Sequence, residues 1–227
     1  MRRAWLSVVV LLAVAGAACG GGKKAPPALS DADLQQMVMI TSEGLQWTLT
    51  PAGDEAQSNE QASMAFPDPE QWLSNYQQWG RSGGHAASFT TADSSVFGVQ
   101  AEVEAYTSVN GAESAWATLR DYGVSPEFLN FLEQSSGSNV TVGRTDAEQV
   151  GDESSAYILQ TTAGGQTSQT LIILFRRDAI VASASVGAPP GEARVEDAVT
   201  VAKQLDGRIQ DILNRQPSVS SSTSPSP

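Results

Sequence analysis

Leu171-Ile172-Ile173-Leu174-Phe175 is apolar at every position. A strand here would have to be buried on both faces, so the run predicts the central strand of a sheet. Its neighbours also read as strands, residues 154–162 before it through Gly164-Gly165 and residues 179–186 after it through Arg177-Asp178. Short links of this kind make hairpins, so three antiparallel strands follow one another directly. Further upstream, Val99, Ala101, Val103 and Ala105 alternate with Gln100, Glu102, Glu104 and Tyr106, and this period of two predicts a half-buried strand with one wet face. Residues 140–144 and 86–91 add two more strands, the latter entered through a turn at Gly83-Gly84. Residues 53–61 are polar and aperiodic and read as a loop.

Helices fall in blocks around these strands. Ser30 suits a helix N-cap before Leu34, Met37 and Val38. Asp68-Pro69 starts a second helix carrying Trp72, Leu73, Tyr76 and Trp79, which Gly80 ends. Asn110 caps a third and Ser125-Pro126 a fourth, with Phe128, Leu129, Phe131 and Leu132. Pro189-Pro190-Gly191 then breaks the chain before the longest stripe, in which Val195, Ala198, Val199, Ala202, Leu205, Ile209, Ile212 and Leu213 share one side. Hairpin-linked strands with helices in blocks are the α+β signature. The expectation is one domain, residues 29–213, built on an antiparallel sheet with a central hydrophobic strand, covered by helices, with a long C-terminal helix packed on it.

Composition narrows the function. The 227 residues are 41% hydrophobic, enough for an ordinary core, and carry a formal net charge of −12, which argues against nucleic-acid binding. One Cys and one His exclude a disulfide scaffold and a His/Cys zinc site. Residues 214–227 are Ser/Pro-rich and read as a disordered tail.

The N-terminus carries an address. Arg2 and Arg3 precede a 12-residue apolar stretch, residues 4–15, too short to span a bilayer and suited to the core of a secretory signal. Gly16-Ala17-Ala18-Cys19 follows, with Gly16 standing where an aliphatic residue is usual. This junction resembles that of bacterial lipoproteins. The resemblance implies a signal peptide at residues 1–18 and a Cys19 that receives diacylglycerol on its thiol and becomes the mature N-terminus. The partner would be the membrane, at the extracytoplasmic face of a bacterial cell. Loss of Arg2 and Arg3 with the leader leaves 11 basic against 25 acidic residues, a net of −14. Residues 19–28, with Lys23, Lys24, Pro26 and Pro27, read as a tether from the lipid to the domain.

A second resemblance rests on Val150-Gly151-Asp152-Glu153-Ser154-Ser155-Ala156-Tyr157, on residues 174–182 and on the closing helix. Over roughly residues 80–213 the chain is similar to uncharacterised envelope lipoproteins of the LpqN type, which implies an α/β sandwich related in shape to PsbP. Actinobacterial sensor domains of similar shape are held by disulfides that this chain cannot form, so they fit less well.

Candidate chemistry is sparse. His85 follows two glycines and reads as a surface residue, without a nucleophile motif nearby. Asp146, Glu148, Asp152 and Glu153 form the densest acidic group, but lack the spacing of a calcium loop and read as a solvated turn. Trp47, Trp72, Trp79 and Trp116 either pack in the core, three of them standing at helix or strand positions consistent with it, or line a groove for a sugar or apolar ligand. The expectation is a non-enzymatic binding or interaction module without cofactor or metal, whose partner is an envelope protein or apolar ligand. Carriage of a lipid or other apolar ligand in an interior cavity is the first alternative. An envelope hydrolase with an unrecognised site, which a cleft converging several carboxylates with His85 would favour, is the second.

Because the sole thiol sits at the signal junction, Cys19→Ser should abolish lipid attachment, and the wild type should stay with membranes at high salt. Fractionation with mass analysis checks this. Soluble wild-type protein with a free thiol would contradict it.

Overall fold

The computed structural model describes residues 26, 28–92 and 95–215. The signal peptide, Cys19, all of the tether but Pro26 and Ala28, and the tail beyond residue 215 lie outside the described residues. In chain order the elements are α1 (Asp31–Val38), β1 (Leu49–Gln57), α2 (Asn59–Ser63), α3 (Pro69–Trp79), β2 (Arg81–Thr91), β3 (Gly98–Tyr106), α4 (Val109–Tyr122), α5 (Pro126–Ser136), β4 (Asn139–Thr145), β5 (Glu153–Ala163), β6 (Gln166–Arg177), β7 (Ile180–Ala188) and α6 (Val195–Arg215). The α+β architecture is as expected. All seven strands join one antiparallel sheet in the order β1-β2-β3-β7-β6-β5-β4. It consists of two meanders, β1–β3 and β4–β7, sewn together by the β3–β7 ladder, in which Glu102 faces Ser183 and Val103 faces Ala182.

The helices cover both faces. On one side α1 and α6 close a continuous apolar core. It takes Val99, Ala101 and Val103 from β3, Leu171, Ile173 and Phe175 from β6, and Leu205 and Ile209 from α6. The α6 stripe is the predicted one. Arg177 pins that helix to the end of β6 by donating from Nε and Nη2 to the Asp206 carboxylate at 2.8 and 2.6 Å. On the other side lie the shorter helices α2–α5. There Ala112, Ala115 and Trp116 of α4 pack on Tyr106 and Val181.

Several local expectations are corrected. The middle position belongs to β7, and β6 is one step off centre. β7 is fully buried on its α6 side and half-buried at Ser183, Ser185 and Gly187 on the other, yet is made largely of Ala, Ser and Val, so its hydropathy understates its burial. Residues 53–57 belong to the edge strand β1, which is almost wholly exposed, and no apolar alternation marks it because neither face is covered. Gly83 and Gly84 lie inside β2. A Cβ on Gly84 would overlap the Arg81 guanidinium, so glycine there makes room for a buried cation. The cap of α4 is Ser108, whose Oγ accepts from the Gly111 amide at 3.1 Å, and Asn110 sits in the first turn. The helix α6 runs to Arg215, two residues past the expected domain limit.

Ile173 is fully buried in the α1/α6 core. Ile173→Ala should destabilise the domain by about 2–5 kcal/mol in denaturant unfolding, through lost burial and the cavity left behind. A loss below about 1 kcal/mol would mean that this layer is not the main core.

Candidate functional site

The face under α2–α5 is where coverage is incomplete. The period of two along each strand points Glu102 and Glu104 of β3, Tyr157 and Leu159 of β5, and Ile172 and Leu174 of β6 to this side. They form the floor of a groove of about 360 Å³. Phe66 beyond α2, Leu119 and Tyr122 of α4, and Phe128 and Leu132 of α5 wall it. The size lies within the roughly 300–1,000 Å³ of small-molecule sites. No residue of α5 is fully buried, and Phe128, Leu129, Phe131 and Leu132 all remain half-exposed. That helix rests on β4 and leaves apolar surface facing the gap.

One end of the groove is polar. Arg81, with a completely buried side chain, donates from Nε to Glu104 Oε1 at 2.9 Å, while the Tyr106 hydroxyl donates to Glu104 Oε2 at 2.7 Å. Arg81 Nη1 donates to the Gln57 carbonyl at 3.2 Å and to Asn59 Oδ1 at 2.9 Å, and the guanidinium lies 5.0 Å from the Tyr76 ring centroid. Burial, reinforced by the Glu104 charge, pushes the Tyr76 and Tyr106 hydroxyls well above their ordinary range. The face expected to be wet is therefore closed along this half of β3. The Glu104–Arg81–Tyr106 network lets helices cover it at modest cost.

Glu102 lies on the same face two residues earlier, with no cation at ion-pair distance among the described residues. Burial first, then the Glu104 charge and more weakly Glu55, push its carboxyl up to about 7, against the lowering pull of Arg81 and the Gln57 amide. A carboxyl titrating near neutrality at the edge of an apolar cavity marks a candidate binding group.

The sequence candidates fall elsewhere. His85 is buried, not exposed, on the opposite face of the sheet, where α1 crosses β2. Its Nε2 lies 3.5 Å from Asp54 Oδ1, and Asp54 in turn accepts from Gln35 of α1 at 3.3 Å. The sheet thus separates His85 from Glu102 and Glu104. Of the acidic group, Asp152 and Glu153 pair with Arg176 and Arg177, and Glu148 with Lys203. Among the described residues no cluster could hold a metal ion. Trp47 belongs to the α1/α6 core, Trp116 packs against the sheet, and Trp72 stacks on Phe66 at 3.7 Å beside Trp79. None of the four lines the groove, whose aromatic walls are Phe66, Tyr76, Tyr122, Phe128 and Tyr157. The signal missed in the sequence is Tyr106. An aromatic residue sharing a strand face with Glu102 and Glu104 argues that this face is covered.

Comparison with known proteins adds the fold alone. No family model matches the chain, and no curated protein matches it. Among solved structures, the crystal structure of the extracellular domain of PknH from Mycobacterium tuberculosis is similar, with a TM-score of 0.56 and 9% identity over 83% of this chain and 100% of that one.

The raised Glu102 carboxyl has a stability consequence of definite sign. The folded state keeps a proton that the unfolded chain releases near 4.5, so this contribution is intact below that pH and is lost as pH climbs through about 7. Glu102→Gln should match the wild type near pH 5 and exceed it by about 1–3 kcal/mol at pH 8. Thermal unfolding across that range measures the difference, and parallel pH profiles would contradict it.

Proposed function

We propose that this chain is an extracytoplasmic bacterial lipoprotein, anchored through Cys19, whose domain is a non-enzymatic binding module that takes an apolar small molecule in the groove under α2–α5. The observation that carries the ligand is the groove itself: a concave space of about 360 Å³ between sheet and helices, floored by Ile172, Leu174 and Leu159 and roofed by Phe128 and Leu132. The large apolar side chains most exposed among the described residues, Met64 and Phe97, lie outside the groove, whereas half-buried Phe128, Leu132, Leu159, Ile172 and Leu174 gather in the concavity, which suits a small ligand. The anchor rests on the leader and the single Cys. The strongly acidic body gains nothing from anionic headgroups, which makes a lipid the natural means of holding it at a membrane. The likeness to an extracellular domain agrees in fold with such a location.

The test uses the full chain in nanodiscs of zwitterionic lipid, with empty nanodiscs as the blank. Octanol, a neutral amphiphile, should bind saturably at one site in calorimetry. Ser183 lies at the centre of the floor, opposite Glu102 on β3 and Leu174 on β6. Ser183→Phe should fill the groove and weaken octanol by about tenfold or more while the fold persists. Octanol uptake indistinguishable between the two proteins would refute the groove as the site.

A further inference from the structure

We propose that the natural occupant of the groove is an amphiphile with a cationic amine at its polar end, its apolar part against Phe128, Leu132 and Ile172 and its ammonium on Glu102. This rests on the groove being a ligand site, and goes beyond it by naming the ligand's chemistry. The charged residues lining the groove are Glu102 and Glu104, both acids. Glu104 is already engaged by Arg81 and Tyr106. Arg81 stands behind it and lines no part of the groove, its Nη2 over Gly84. Glu102 has no ion-pair partner among the described residues.

The buried polar atoms without a partner point the same way. Of those on the groove wall, Gln57 Oε1 is an acceptor with no donor, and the Tyr122 hydroxyl can accept as well as donate. Leaving such atoms unpaired is costly, and a ligand ammonium with three N–H groups could supply Glu102 and Gln57 together. A fatty-acid carboxylate or a phosphate would meet two acids and no accessible cation. A neutral alcohol would satisfy one acceptor without balancing the charge. The groups facing Glu102 are Glu104 on its own strand, Gln57 and Glu55 on β1, Arg81 on β2, Tyr76 on α3 and Ser183 on β7. An arriving ammonium favours the ionised carboxylate, so binding expels a proton wherever Glu102 is still protonated in the free protein.

Octylammonium, octanol and octanoate are compared by calorimetry on the full chain in nanodiscs, each below its micelle concentration and with empty nanodiscs as the blank. At pH 8, octylammonium should bind about tenfold or more tightly than octanol, and octanoate more weakly than either. The preference for the amine should shrink at pH 5 in the wild type. In Glu102→Gln the amine-to-octanol ratio should collapse towards one at both pH values, whereas Glu102→Asp should restore part of it. No octanol binding at all would refute the groove as a ligand site. Octanol binding with no preference for the amine, or a preference that survives Glu102→Gln, would leave the groove standing and overturn the amine.

Discussion

The middle strands of this sheet carry apolar side chains on both faces, so both need cover, and one helix, α6, completes one of them. Its stripe from Ala198 to Ile212 lies along β6 and β7, is buried throughout, and meets α1 to seal the core. The Arg177–Asp206 pair fixes its position. On the other side four shorter helices share the work that α6 and α1 do here. Four short helices cover a twisted sheet less completely than one long one. The gap left between α2, α4 and α5 is the groove.

The same asymmetry sorts the polar residues. Beneath α6 the sheet contributes apolar side chains almost exclusively. Beneath α2–α5 it contributes Arg81, Glu102, Glu104 and Tyr106. A buried ion pair such as Arg81–Glu104 adds little net stability over an apolar substitute, since desolvation offsets most of the attraction. Its value here is positional. It engages Glu104 and leaves Glu102 as the one carboxyl lining the groove without an ion-pair partner among the described residues. Glycine at position 84 serves the same end by clearing space for the guanidinium.

Much of this was legible in the residues. Strong alternation and strong caps predict β3, β5, β6, α1, α3, α5 and α6, because period and capping are local properties. The misses have physical reasons. Strand β1 pairs through its backbone at an exposed edge, where side chains carry no pattern. β7 takes the central place with small residues, so hydropathy ranked β6 above it. The groove was the hardest to foresee. Glu102 on an alternating strand looks like a wet face, and only the arrival of α2–α5 from distant sequence turns that face inward. Tryptophans drew attention by their size, yet size favours burial in packed clusters. The ligand-facing wall falls to half-buried Phe128, Leu132 and Tyr122.

The central claim is that the groove holds a small amphiphile in the protein as the cell makes it. Native mass spectrometry of the full chain, extracted gently from its own membrane, tests this directly, because it weighs the polypeptide, the anchor on Cys19 and any retained ligand in one spectrum. The account predicts a single small adduct on the acylated wild type, released on collisional activation and missing from Ser183→Phe prepared in parallel. A wild type that carries no adduct, or an adduct retained equally by Ser183→Phe, would contradict it.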